Sequence, residues 1–339
     1  MRQVFLAAGL LLAVVGGSVH GAVVPGFVDR EGRAVQAAPP ATSQGTWTSD
    51  TRNGWTDDHG ERRWQFNLRD DRGDNRWGFG IRPSELEGAP PVEGTAANVQ
   101  FSWPREAGVF RFTGSFDRGR GTGRFVFTPS ETYRTAMQGL GYRLTADDSQ
   151  RFAILDVTTG FVRELAGAGY RDLDVDELAR MRIHRVSAEQ IKEMRALGYT
   201  DLPSEALIRL RIHQVTPEFA RGLADRGYKG LTAEDLIRMR IHQVTLSEID
   251  ELKALGYSGL GADELVRFRI HKVTPAYIRE MRDVGFATVD EDQLVRMRIH
   301  KVDAQFVKDA RADGYAMSTP ADAVDLAIRG PRYTRARRK

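Results

Sequence analysis

Residues 236–245 read Leu236-Ile237-Arg238-Met239-Arg240-Ile241-His242-Gln243-Val244-Thr245, and close variants of this decapeptide begin at Leu178, Leu207, Leu265 and Leu294. Each begins 29 residues after the last, so five of the seven histidines fall at 184, 213, 242, 271 and 300. A Gly-aromatic pair keeps the same step at Gly169-Tyr170, Gly198-Tyr199, Gly227-Tyr228, Gly256-Tyr257, Gly285-Phe286 and Gly314-Tyr315, with Gly141-Tyr142 one residue out of phase. Self-similarity at a period of about 20–50 residues marks stacked units whose cores are completed by their neighbours.

Each unit reads as two short helices. Thr232 with Asp235, and Asp290 with Gln293, place a capping residue and its reciprocal partner ahead of the first helix. That helix carries Leu236, Ile237, Met239 and Ile241 as its apolar residues. Thr216-Pro217-Glu218 and Thr274-Pro275 open the second helix with a cap and a proline in the first turn, and the Gly-aromatic pair stops it, because glycine takes the left-handed conformation there. Helices of about ten residues are marginal alone in water, so they are expected to stack.

At about 100° per residue, Leu207, Ile208, Leu210 and Ile212 share an apolar arc while Arg209 and His213 fall on the opposite side. Arg211 lies inside the arc, so it and its equivalents Arg182, Arg240, Arg269 and Arg298 are expected to be partly buried against acids or helix C-terminal carbonyls. The outer pairs Arg180/His184, Arg209/His213, Arg238/His242, Arg267/His271 and Arg296/His300 would draw a basic ladder along one side. The histidines have two readings. One is capping of helix C-termini; the other is a docking surface for an acidic protein segment, or a pH-sensitive one. Units about 10 Å apart could not share one metal ion between equivalent imidazoles.

Ahead of the repeat the period changes to two. Trp64, Phe66 and Leu68 alternate with polar residues, a turn-rich Asp70–Asp74 follows, and Trp77, Phe79 and Ile81 alternate again. The pattern returns at Val99–Trp103, Phe110–Phe116 and Phe125–Phe127, giving five or six antiparallel strands. The Asp70–Asp74 turn lacks the spaced oxygen ligands of a calcium loop and reads as a solvated hairpin turn. All five tryptophans lie in this region; they fill a small core or form a platform for sugar rings, and Trp47 and Trp55, outside the clean alternation, are the candidates for carbohydrate binding.

Further toward the N-terminus, Arg2, the apolar run Val4–Val15 and the small residues to Ala22 have the order of a secretory signal. The run is shorter than the ~20 residues of a spanning helix, so export, to the periplasm, is expected, with an uncleaved anchor as the alternative. The boundaries read as a signal peptide (1–22), a flexible linker (23–44), an antiparallel β domain (45–130), an α-helical repeat domain (131–330) and a basic disordered tail (331–339). The fold class is therefore α+β as separate domains, a small β domain followed by a solenoid of 29-residue helix-turn-helix units.

The chain has 339 residues, 49 basic and 46 acidic, 41% hydrophobic, with a net charge of +3. Composition of this kind belongs to multi-domain globular proteins, and so small a net charge does not call for a nucleic-acid partner. Zero cysteine removes disulfides, thiolate metal sites and a thiol nucleophile. The last eleven residues hold Arg329, Arg332, Arg335, Arg337, Arg338 and Lys339 without an acid, a solubilising tail or a contact for anionic lipid. Nucleophile–base motifs, phosphate loops ahead of a helix and His-Glu-x-x-His are absent from the sequence. No catalytic residue, metal or cofactor is expected.

The stretch 236–245 with its Gly-Tyr stop resembles helical repeats in the exported tails of bacterial membrane regulators of the BlaR1 type, the M56 metallopeptidase group. The likeness covers about 155–330. It implies an envelope-located sensory or interaction module; the zinc protease motif of those regulators is missing here, so their protease activity is not implied. The resulting expectation is a non-enzymatic exported protein that binds a protein partner of the cell envelope along its helical surface. Binding of carbohydrate or cell wall through the Trp-rich β domain is the alternative.

Overall fold

The computed structural model describes residues 42–52, 54, 56, 60–71, 75–90 and 94–330. The signal segment, most of the linker, Trp55, His59 and the basic tail 331–339 lie outside these residues. The chain divides into two compact units, the described residues of Met1–Thr132 with Thr145–Gln150, and those of Tyr133–Leu144 with Arg151–Lys339. A six-stranded antiparallel sheet in the first precedes fourteen helices.

The strands are β1 (Ser43–Asp50), β2 (Trp64–Asp70), β3 (Arg76–Ile81), β4 (Thr95–Arg105), β5 (Gly108–Asp117) and β6 (Arg120–Pro129), in the spatial order β3-β2-β1-β6-β5-β4. The expected hairpin forms in the register that the alternation requires, Phe66 opposite Phe79, and β5 pairs with β6 in the same manner, Phe110 opposite Phe127. Because side chains alternate across a strand, one face collects Trp47, Phe66, Phe101, Phe112, Phe116 and Phe125, all buried. Trp47 is the hub: its ring lies 5.4–5.9 Å from those of Phe66, Phe101, Phe112 and Phe116. Gly121 makes room for it, since a Cβ there would stand 2.5 Å from the indole.

The helices are α1 (Glu131–Gly139), α2 (Ala146–Leu155), α3 (Thr159–Gly167), α4 (Val175–Ile183), α5 (Ala188–Ala196), α6 (Ser204–Ile212), α7 (Pro217–Asp225), α8 (Ala233–Ile241), α9 (Leu246–Ala254), α10 (Ala262–His271), α11 (Pro275–Asp283), α12 (Glu291–Ile299), α13 (Ala304–Ala312) and α14 (Pro320–Arg329). Even-numbered helices start at 29-residue intervals from Ala146, and odd-numbered ones do so from Thr159. From α4 each even helix packs on the next even one, and from α3 each odd on the next odd, which makes two rows. The starts are those the sequence marks: the Thr232–Asp235 capping box and Thr216 and Thr274 caps ahead of a first-turn proline. Leu236, Ile237 and Met239 are buried between the rows, but Ile241 is not; it is 48% exposed, as are its equivalents to within a few per cent. It is the last residue of α8, at the margin of the apolar arc, where the helix has run past its cover.

Both rows end their helices alike. In the odd row Gly198 at φ +99° stops α5, with Tyr199 N donating to Met194 O and Gly198 N to Arg195 O. In the even row the same pair of bonds closes α6, from Val215 N to Leu210 O and from Gln214 N to Arg211 O, but the left-handed residue is Gln214 at φ +54°. Arg185, Gln243, Lys272 and Lys301 repeat this conformation. Glycine announces one stop in the sequence and nothing announces the other.

Candidate functional site

The recurring residues converge at the C-terminal ends of α4, α6, α8, α10 and α12, where each motif supplies two arginines, an isoleucine and a histidine. The first arginine reaches forward to an acid 25 residues on, in the first turn of the next even helix. Arg209 grips Glu234 through two nitrogens at 2.7 and 3.1 Å, Arg238 meets Asp263 at 2.8 Å, and Arg180–Glu205 and Arg267–Asp292 form the same pair. The guanidinium holds the Glu234 carboxyl below the ordinary carboxylate range by hydrogen bonding to it. Arg296 has no such acid, because position 321 is Ala. Four of the five outer arginines are thus neutralised by the neighbouring unit, and the ladder is an alternation of opposite charges.

The second arginine reaches back in four of the five motifs, the exception being Arg240, whose buried Nε has no hydrogen-bond partner. Arg211 Nε donates to His184 O at 3.2 Å, Arg269 Nε to His242 O at 3.0 Å and Arg298 Nε to His271 O at 3.4 Å, each spanning 27 residues. Arg182 does the same to Leu155 O at 3.3 Å and pairs with Asp156 at 2.6 Å. The cation therefore sits at the negative end of the preceding helix and satisfies a carbonyl that the helix leaves free. The odd row repeats the device at the same interval: Arg195 Nη2 donates to Ala168 O at 2.9 Å, Arg311 Nη1 to Val284 O at 2.6 Å, and Lys253 and Arg282 bond Arg226 O and Leu255 O. The guanidinium planes also lie over aromatic rings of the odd row, Arg182 on Phe161, Arg240 on Phe219 and Arg298 on Tyr277, at 4.6–5.3 Å from the ring centres.

The flank thus presents to solvent exposed isoleucines and arginines largely paired with acids, with the imidazoles beside them. His184, His213, His242 and His300 occupy the residue just past their helices, and His271 ends α10. All five are half-buried. For His184, His242 and His271 the backbone carbonyl, rather than the ring, takes the capping contact. Between α6 and α8 the flank opens into a cleft of 290 Å³ lined by Ile212, His213, Gln214, Arg240, Gln243 and Thr245.

In the β unit, Trp47 is fully buried and its Nε1 donates to Thr113 O at 3.1 Å. It has no free face for a sugar, which corrects the expectation of a binding platform there. Its neighbours on the inward face of β1 are Gly45 and Ser49, so the alternation is real but written in small residues. An open cleft of 370 Å³ lies on the outward face of β1–β3 over Thr46, Thr48, Asn67, Arg69 and Arg76, whereas half-buried Trp77, paired with Leu68, has its indole on the inward face. Within the acidic turn Asp70 is buried and accepts from Asn75 Nδ2 at 3.1 Å, while Asp71 pairs with Arg124.

Among the described residues no group of three or more His, Cys, Asp or Glu is placed to hold a metal ion, and no helix is long and apolar enough to cross a membrane. No family model, curated protein or solved structure matches this chain.

Proposed function

We propose that this chain is a non-enzymatic exported protein of the cell envelope, whose helical half is a solenoid of 29-residue helix-turn-helix units that binds a protein partner along one flank. The observation that carries the reading is the recurrence of one exposed isoleucine and one half-buried histidine on each of five consecutively packed even helices. Stacked helix pairs expose a long face without a deep pocket, which suits recognition of another macromolecule. Export rests on the order of charge, apolar run and small residues at the N-terminus. Kinship with the exported tails of the M56 group rests on the decapeptide alone.

The test is capture of cross-linked envelope proteins by the immobilised full chain and by a variant carrying His213→Asp, His242→Asp and His271→Asp. These side chains make none of the contacts between units described above, so the variant is expected to stay helical by circular dichroism and to lose its partner. Undiminished capture overturns the reading. Arginine variants are unsuitable, because they break the stack itself.

A second reading, cell-wall sugar binding by the β unit, is supported by the open cleft under the outward side chains of Thr46, Thr48, Asn67, Arg69 and Arg76. Hydroxyl, amide and guanidinium groups side by side suit the hydroxyls of a sugar. Asn67→Ala with Arg69→Ala is expected to abolish retention on peptidoglycan; equal retention of both proteins, or none by the unmutated chain, rejects it.

A further inference from the structure

Among the described residues seven large apolar side chains are exposed, and six of them are Ile183, Ile212, Ile241, Ile270, Ile299 and Ile328, each 48–53% exposed and each 29 residues from the next. Single exposed apolar residues need no explanation, but these lie on α4, α6, α8, α10, α12 and α14, which pack one on the next. At a helix spacing of about 10 Å they form one continuous stripe. Six half-exposed isoleucines offer on the order of 500 Å² of apolar surface, the scale of the apolar centre of an interface that buries roughly 800 Å² per partner.

We infer that this stripe is an interface with a second copy of the chain, docked antiparallel about a two-fold axis that runs along the helices between the α8 and α10 rungs. The inference rests on reading the flank as a protein-binding surface and names its partner. That axis places Ile183 opposite Ile328, Ile212 opposite Ile299 and Ile241 opposite Ile270. The argument for this partner and this register is charge. Two residues beyond each isoleucine the chain carries Arg185, Gln214, Gln243, Lys272, Lys301 and Gly330, all at positive φ and the first five exposed. The axis sets Arg185 against Gly330, Gln214 against Lys301 and Gln243 against Lys272, so each cation meets a neutral residue. A slip of one rung either way brings Arg185 against Lys301 or Lys272 against its own copy. Like charges so opposed suppress the wrong register, while the identical isoleucines would accept it. The forward arginines do not disturb the dock, because Glu205, Glu234, Asp263 and Asp292 already neutralise all but Arg296 within each copy. An interface of this kind is isologous and closes on itself as a dimer.

Absence of native cysteine makes the register directly readable. The full chain with Gln214→Cys and Lys301→Cys, oxidised in solution, is expected to form a covalent dimer; within one chain the two positions are three rungs apart, too far for a disulfide. A chain with Gln214→Cys and Lys272→Cys, which meet only in a slipped register, is expected to stay uncross-linked. Sedimentation equilibrium of the unmutated full chain is expected to show a monomer–dimer equilibrium, and Ile241→Glu with Ile270→Glu to raise its dissociation constant at least ~100-fold with an unchanged circular dichroism spectrum. A chain that remains monomeric to sub-millimolar concentration, or cross-linking of the slipped pair alone, overturns the inference. If the chain is monomeric yet the isoleucine variant loses an envelope partner, the second copy is rejected and the binding flank survives; if it is monomeric and the variant captures as before, both fall.

Discussion

At the scale of single residues, the even helices spend conformational energy that the odd helices do not. Gln214 and its equivalents hold φ near +55° without being glycine, a conformation in which an L-residue's Cβ crowds the following carbonyl. Gln214→Gly is therefore expected to raise unfolding free energy by about 0.5–1 kcal/mol in urea denaturation, in contrast to Gly198→Ala, which is expected to lower it by about 1 kcal/mol. The reach-back cations make a second residue-level prediction. Arg195, Lys253, Arg282 and Arg311 each cap the preceding odd helix, whereas the equivalent position on α7 is Ala224, which leaves the Leu197 carbonyl without that donor. Ala224→Arg is expected to stabilise the chain by about 0.5–1 kcal/mol, read as a higher urea midpoint at unchanged slope; no gain would mean that the cap is satisfied otherwise.

At the scale of the element, one position of the odd helices shows how the rows are bound together. Three residues past the cap, α3, α7 and α11 carry Phe161, Phe219 and Tyr277, each beneath an arginine of the following even helix. On α5 and α9 the same position holds Gln190 and Glu248, both buried. Glu248 meets Arg269 at 3.3 Å, yet loss of solvent outweighs the cation and raises its carboxyl above the ordinary value of 4.5. A carboxyl whose folded value is raised contributes stability that is complete below the unfolded value and is lost as pH rises through the folded one. Glu248→Gln is expected to raise the Tm at pH 7.5 and to leave it unchanged near pH 4; a gain of equal size at both would assign the effect to packing rather than charge.

At the scale of the whole helical unit, forward pairs at 25 residues and backward caps at 27 residues connect like helices only, so each unit is specified by its immediate neighbours. Removing residues 204–232 deletes one period and leaves Arg180 facing Glu234 and Arg240 facing His184 O, substitutes identical in kind to those lost. This deletion is expected to fold, with the helical circular dichroism signal reduced by two helices and a single cooperative transition kept. Removing 204–218, half a period, sets an odd helix against an even one and is expected to unfold the unit. Equal tolerance of both deletions would show that the interval carries no structural information.

The sequence by itself determined the two layouts, the starts of the capped helices and the stops of the odd row, because capping residues, first-turn prolines and glycine stops act within a few residues of chain and repeat in phase. It also placed Arg182, Arg211, Arg269 and Arg298 against carbonyls and acids, since a cation inside an apolar arc has few other ways to be satisfied. Tertiary structure decided what the flank displays. Whether Arg209 is a free charge depends on Glu234, 25 residues away, and whether Ile241 is covered depends on where a neighbouring helix stops; neither is a property of local periodicity. The same holds for Trp47, whose inward direction is fixed by pairing with β2 and β6 and hidden in one dimension by Gly45 and Ser49 on either side. Local patterns specify how a segment turns and which way its side chains point relative to one another; exposure is specified by what comes to lie on top, which only the packed chain supplies.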